Sequence, residues 1–193
     1  MSCSWRSIRH RARAALALIA AIAVSSLVGC ADAFALHGTV IEPPRAAPPV
    51  RLTRSDGSVF DLSDERGRVV LLYFGYTRCP DVCPLTLATW ARVRRTLGED
   101  TARVRFAFVS VDPDRDSPAA VQAYVQQFDP GIIGLTGPAA TIALLERGYM
   151  STSYRSGAGA DYMVSHGTRS FLVDRSGQLR TLYSTEIDAE VIV

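Results

Sequence analysis

The 193-residue chain contains no lysine; all 21 of its basic residues are arginine. Schiff-base catalysis is thereby excluded, because it needs a lysine amine. Histidine is nearly as scarce, with His10, His37 and His166 alone, and no proline follows Pro138. Cysteine is limited to Cys3, Cys30, Cys79 and Cys83. A surplus of positive charge suited to nucleic acid is also missing. Four arginines precede Cys30 and no acidic residue does, so the remainder has 17 Arg against 19 Asp plus Glu, a formal charge of −2. The whole-chain value of +2 reflects the N-terminus, and nucleic acid is not an expected partner.

What the N-terminus does contain is a basic stretch, Arg6, Arg9, His10, Arg11 and Arg13, ahead of an uncharged run from Ala14 to Gly29 rich in Ala, Leu, Ile and Val. This is the layout of a secretory signal. The run is shorter than the roughly 20 residues that span a bilayer, and it ends in the small residues of "SSLVGC". Residues 1–29 are therefore read as a signal or membrane-targeting segment. "LVGC", 27–30, resembles the bacterial lipobox, with Cys30 as the lipid-carrying residue; an uncleaved N-terminal anchor is the alternative. Either places the domain on the extracytoplasmic, periplasmic side of a bacterial cell envelope, anchored to the membrane. Residues 30–49, with "EPPRAAPPV", are expected to be a Pro-rich tether, and residues 50–193 the domain.

Within that domain, "VRLTRSDGSVFDLS" alternates around Asp56-Gly57 and predicts a β-hairpin. "GRVVLLYFGYT" is a continuous apolar run, the pattern of a strand buried on both faces. A helix is expected from about Pro84 to Leu97, ended by Gly98. "RVRFAFVSVD" predicts a second core strand, and Ser117-Pro118 the cap and first turn of a helix reaching about Phe128. "GIIGL", a helix in "GPAATIALLERGY", a polar loop in "SYRSGAGADYM", and a hairpin of "RSFLVD" with "QLRTLYS" follow; a further helix starts near Glu186. This order is similar to a thioredoxin-like α/β fold: a central mixed β-sheet flanked by helices, with an N-terminal β-hairpin.

Cys3 lies in the signal segment and Cys30 is the expected lipid site, so Cys79 and Cys83 in "RCPDVCP" are the thiols left to the domain. A bridge between residues this close gains little chain entropy, which favours chemistry over stapling. Pro84 is best placed in a first helical turn, so Cys83 is expected near a helix N-terminus, where amides and dipole stabilise a thiolate. His166 precedes a predicted core strand. In thioredoxin-like folds that position faces the reactive cysteines and commonly carries a cis-proline; here a histidine is in the neighbourhood. Two thiolates and an imidazole suit Cu(I) and accommodate Cu(II), whereas closed zinc sites use four protein ligands. "DPDRDSP", 112–118, reads as a turn and helix cap, with Asp112 able to line the site; Tyr76, Trp90 and Phe74 read as packing residues.

"FGYTRCPDVCP", "VSVDPDRDSP", "YVQQFDPGIIGLTG" and "DYMVSHGTRSFLVDRSGQL" together resemble the Sco/SenC family of membrane-anchored, thioredoxin-like copper proteins. The resemblance implies a copper chaperone for the dinuclear copper centre of cytochrome c oxidase, with Cys79, Cys83 and His166 as ligands. Its implied partners are the copper-receiving oxidase subunit and other periplasmic copper carriers. Ser165 stands where the family usually has an acidic residue. Two other functions fit the cysteine pair. One is a thiol–disulfide oxidoreductase using Cys79 and Cys83 as a redox-active dithiol on the oxidase subunit's cysteines; the other is a peroxiredoxin-like peroxidase.

Overall fold

The uncharged run "VVLLYFG" forms β4 (Val69–Gly75), and its neighbours explain why it needs no polar face. β4 pairs in parallel along its whole length with β5 (Val104–Ser110), from Val69 opposite Val104 to Gly75 opposite Ser110. On its other side it runs antiparallel to β9 (Ser170–Val173). The computed structural model describes residues 38–184. Among these, a six-stranded mixed sheet has the order β1-β10-β9-β4-β5-β6, where β1 is Thr39–Ala46, β6 Ile132–Leu135 and β10 Gln178–Tyr183.

Alternation along β4 sends Tyr73 and Phe74 to opposite faces of the sheet. On one face Tyr73 meets Trp90 of α1 (Val82–Leu97) edge-on at 6.2 Å, and Trp90 meets Phe106 at 5.4 Å. Tyr124 of α2 (Pro118–Gln126) packs on Phe108 of the same face. On the other face Phe74 and Phe171 enclose Tyr149, which follows α3 (Ala139–Gly148). The sheet is thus covered on both sides, as the mixed-sheet expectation requires.

Local signals act where expected. The hairpin of β2 (Arg51–Thr53) and β3 (Val59–Asp61) turns at Asp56-Gly57, where Asp56 Oδ1 accepts from the Ser58 amide at 2.9 Å. Ser117 caps α2 by accepting from the Ala120 amide, with Pro118 as its first residue. Gly98 ends α1 with φ of +53°, a conformation that favours glycine.

Two expectations are corrected. Residues 39–46, read as part of a tether, form β1 and pair antiparallel with β10, so the domain begins well before Val50. Prolines are tolerated there because an edge strand needs hydrogen bonds on one side only, and the register shifts between Val40 and Arg45, around Pro43-Pro44. The rest of the segment is docked too: Ala47 donates to Gly177 O, and Pro48 O accepts from the Tyr149 hydroxyl at 2.9 Å. The polar loop "SYRSGAGADYM" likewise contains β7 (Ser153–Ser156), paired antiparallel with β8 (Met163–His166) in a small separate sheet. The signal segment, Cys30, His37 and the helix expected from Glu186 lie outside the described residues. Among the described residues no helix is long and apolar enough to cross a membrane.

Candidate metal centre

Three elements deliver the candidate ligands to one place at the C-terminal end of β4. Cys79 lies in the loop after β4, Cys83 in the first turn of α1, and His166 at the end of β8. One ligand atom from each lies within 4.8 Å of the others. Both cysteines are free thiols.

The loop bearing Cys79 is held from β5. Asp116, buried beyond Ser110, accepts from the Thr77 amide at 2.9 Å, from Thr77 Oγ1 at 2.6 Å and from Ser110 Oγ at 2.6 Å. Cys83 is fully buried behind Gly75. A Cβ at Gly75 would come within 2.5 Å of Cys83 Sγ and 2.8 Å of the Phe108 ring, so no larger residue leaves that sulfur in place. His166 Nδ1 lies 2.8 Å from its acceptor, Gly167 O, which assigns the proton to Nδ1. Nε2 is left facing Cys83 Sγ at 3.5 Å. The rings of Tyr73 and Tyr76 stand edge-on to the imidazole at 6.0 and 5.6 Å and restrict its rotation.

The two sulfurs are electrostatically unequal. A hydrogen bond from the Cys83 thiol holds Cys79 well below the ordinary thiol range, against the penalty of burial, with His166 and the Asp81 and Cys83 backbone assisting. Burial, followed by the hydrogen bond with Cys79 and then the Cys79 charge, pushes Cys83 up. The helix N-terminus was expected to favour a thiolate at Cys83; desolvation behind Gly75 outweighs it there, and the charge resides on Cys79. Burial alone would lower the His166 pKa, but the hydrogen bond with Cys79 and the Gly167 carbonyl leave it raised. The surroundings thus favour the thiolate at Cys79, the thiol at Cys83 and proton uptake at His166.

Asp112 does not join the donors. It is buried, accepts from the Tyr162 hydroxyl and pairs with Arg115, while Arg155 lies 3.5 Å away. Arg115 in turn donates to Tyr162 O at 2.9 Å and Ala160 O at 3.2 Å and stacks 3.6 Å from the Tyr162 ring centre. "DPDRDSP" is thus a clamp that reaches the chain just ahead of β8, as well as a turn and cap. Tyr76, Trp90 and Phe74 are buried packing residues, as expected. Sequence reasoning missed Gly75, Asp116, Arg115 and the buried Glu146 of α3. Only Gly75, a glycine ending a core strand just before the cysteine loop, carried a local signal.

A family model described as SCO1/SenC matches residues 39–193. The bovine mitochondrial SCO2 homologue is 40% identical over 141 residues, covering 70% of this chain and 53% of that protein. The chain thus spans about half the length of that relative. Bradyrhizobium japonicum ScoI, solved with copper bound, superposes with a TM-score of 0.70 at 34% identity, covering 75% of this chain and 93% of the other. Apo Sco1 from Thermus thermophilus gives a TM-score of 0.74 at 32% identity, covering 83% and 94%. The family model's match runs from β1 through the sheet and includes Cys79, Cys83 and His166, and on it and the bovine likeness the chain belongs to the SCO1/SenC family.

Proposed function

We propose that this chain binds copper through Cys79, Cys83 and His166 and delivers it for assembly of the dinuclear copper centre of cytochrome c oxidase. The observation that carries this reading is the convergence of two sulfurs and one imidazole nitrogen within 4.8 Å, from three separate segments. The donor set fits the metal: thiolates are soft ligands, imidazole suits copper, and three donors leave a site that a recipient's ligand can enter. The copper-bound ScoI structure supports it. Two thiolates and a neutral imidazole would give a singly negative site with Cu(I) and a neutral one with Cu(II).

The recipient is the copper-receiving oxidase subunit, with other periplasmic carriers as sources. The N-terminal pattern supports export to the periplasmic side of the cell envelope and anchoring through lipid on Cys30. The test is metal analysis of the anaerobically reduced chain. One copper per chain is expected, with a sulfur-to-Cu(II) charge-transfer band in the oxidised complex. His166→Ala is expected to lose tight binding and shift that band; an unchanged affinity and spectrum would reject the three-ligand site.

A second reading rests on the unequal sulfurs. Cys79 as thiolate can attack a protein disulfide and form a mixed disulfide. Cys83, on losing its proton, then attacks Cys79 Sγ, giving a Cys79–Cys83 disulfide and a reduced substrate. This activity would survive His166→Ala, so thiol exchange measured on that variant separates reductase from chaperone.

A further inference from the structure

The β7–β8 hairpin carries His166, yet among the described residues it has no ladder to the main sheet. Three residues link His166 to β9 of the main sheet, and the hairpin's remaining hold on the domain comes from individual ties. Arg115 supplies one, at Ala160 and Tyr162, ahead of β8. The end that bears His166 has a second. Ser153 opens β7 and is the register partner of His166, so whatever fixes Ser153 fixes the histidine backbone.

Glu146, near the end of α3, does this. Its side chain is 7% exposed, a costly position for a carboxylate unless an interaction repays it. Glu146 Oε2 accepts from Ser153 Oγ at 2.9 Å, and the Glu146 carbonyl accepts from the Ser151 amide at 2.8 Å. Oε1 is buried with no partner among the described residues, so the bond from Ser153 is the side chain's one hydrogen bond there.

We infer that Glu146 is a positioning residue for His166, acting through Ser153 to hold the β7–β8 hairpin against the cysteine loop. This rests on the copper site proposed above. Cys79 and Cys83 are held by other elements, so Glu146 sets the third ligand without touching the first two.

The experiment is a double-mutant cycle on the full chain, reduced and titrated with Cu(I) against a chelator of known affinity. Glu146→Ala is expected to weaken copper binding about 10- to 100-fold when His166 is present, the range seen for residues that orient metal ligands. In the His166→Ala background the same change is expected to have an effect below about threefold, because the group it positions is gone. Glu146→Gln keeps an acceptor for Ser153 and is expected to stay within about threefold of the parent. Should Glu146→Ala not fold, Ser153→Ala removes the same hydrogen bond and carries the same expectation. Equal losses in both backgrounds, or no loss in either, overturn the inference. If His166→Ala itself binds copper like the parent, the copper reading fails first, and that result is separate from a failed cycle.

Discussion

Cys79 and Cys83 are the same residue four positions apart, and their surroundings favour the thiolate of one and the thiol of the other. The consequence is measurable. An ordinary thiol alkylates roughly tenfold faster per pH unit below its pKa of about 8.5, because only the thiolate reacts. With its pKa depressed, Cys79 is already ionised, so its alkylation by iodoacetamide should be nearly flat between about pH 6 and pH 8. Peptide mapping should find the label on Cys79 and not on Cys83. A rate that climbs tenfold per unit would mean that Cys79 is an ordinary thiol. Gly75 belongs to the same scale. Gly75→Ala must push Cys83 Sγ or Phe108 aside, and is expected to cost about 1–3 kcal/mol of stability as overpacking does. It should also weaken copper binding, checked by denaturant unfolding and copper titration of the same variant.

At the scale of elements, the site is a meeting of a loop, a helix turn and a hairpin, each tied by buried polar groups. Asp116 accepts three hydrogen bonds that join β5 to the Cys79 loop. Asp116→Ala should therefore destabilise the chain by roughly 2–3 kcal/mol, since it leaves buried donors without an acceptor. It should also accelerate amide exchange at Thr77, read by hydrogen-exchange mass spectrometry. In the sheet, Leu72 of β4 is fully buried between its neighbours. Leu72→Ala is expected to cost about 2–5 kcal/mol by leaving a cavity, while the cysteines' alkylation pattern in the folded protein stays as in the parent. These two outcomes separate ties that hold the site from packing that holds the fold.

At the scale of the molecule, the proposed copper binding would be linked to folding, because the three candidate ligands converge only in the folded chain. With free copper at about 1,000 times its dissociation constant, mass action adds about 4 kcal/mol of stability. For a chain of this size, that corresponds to a rise in Tm of about 8–16 °C. Calorimetry with and without copper should show it, and a chelator should reverse it. His166→Ala should shrink the shift; an undiminished shift would place the metal elsewhere.

The sequence by itself determined the alternation of strands and helices, the buried β4 and β5, the caps at Ser117 and Gly98, and the cysteine pair. These depend on patterns and propensities within a few residues, and such local signals survive in a linear string. The histidine was legible as well, because a scarcity of histidines and a resemblance of four motifs left His166 as the candidate. Only the tertiary structure decided that Pro43 and Pro44 sit in an edge strand, since pairing with β10 joins residues over a hundred positions away. It also decided which sulfur is charged, because desolvation behind Gly75 is a property of packing. Glu146 became part of the site by the same route: nothing near it in sequence speaks of metal, and its role arises from burial beside the strand that holds His166.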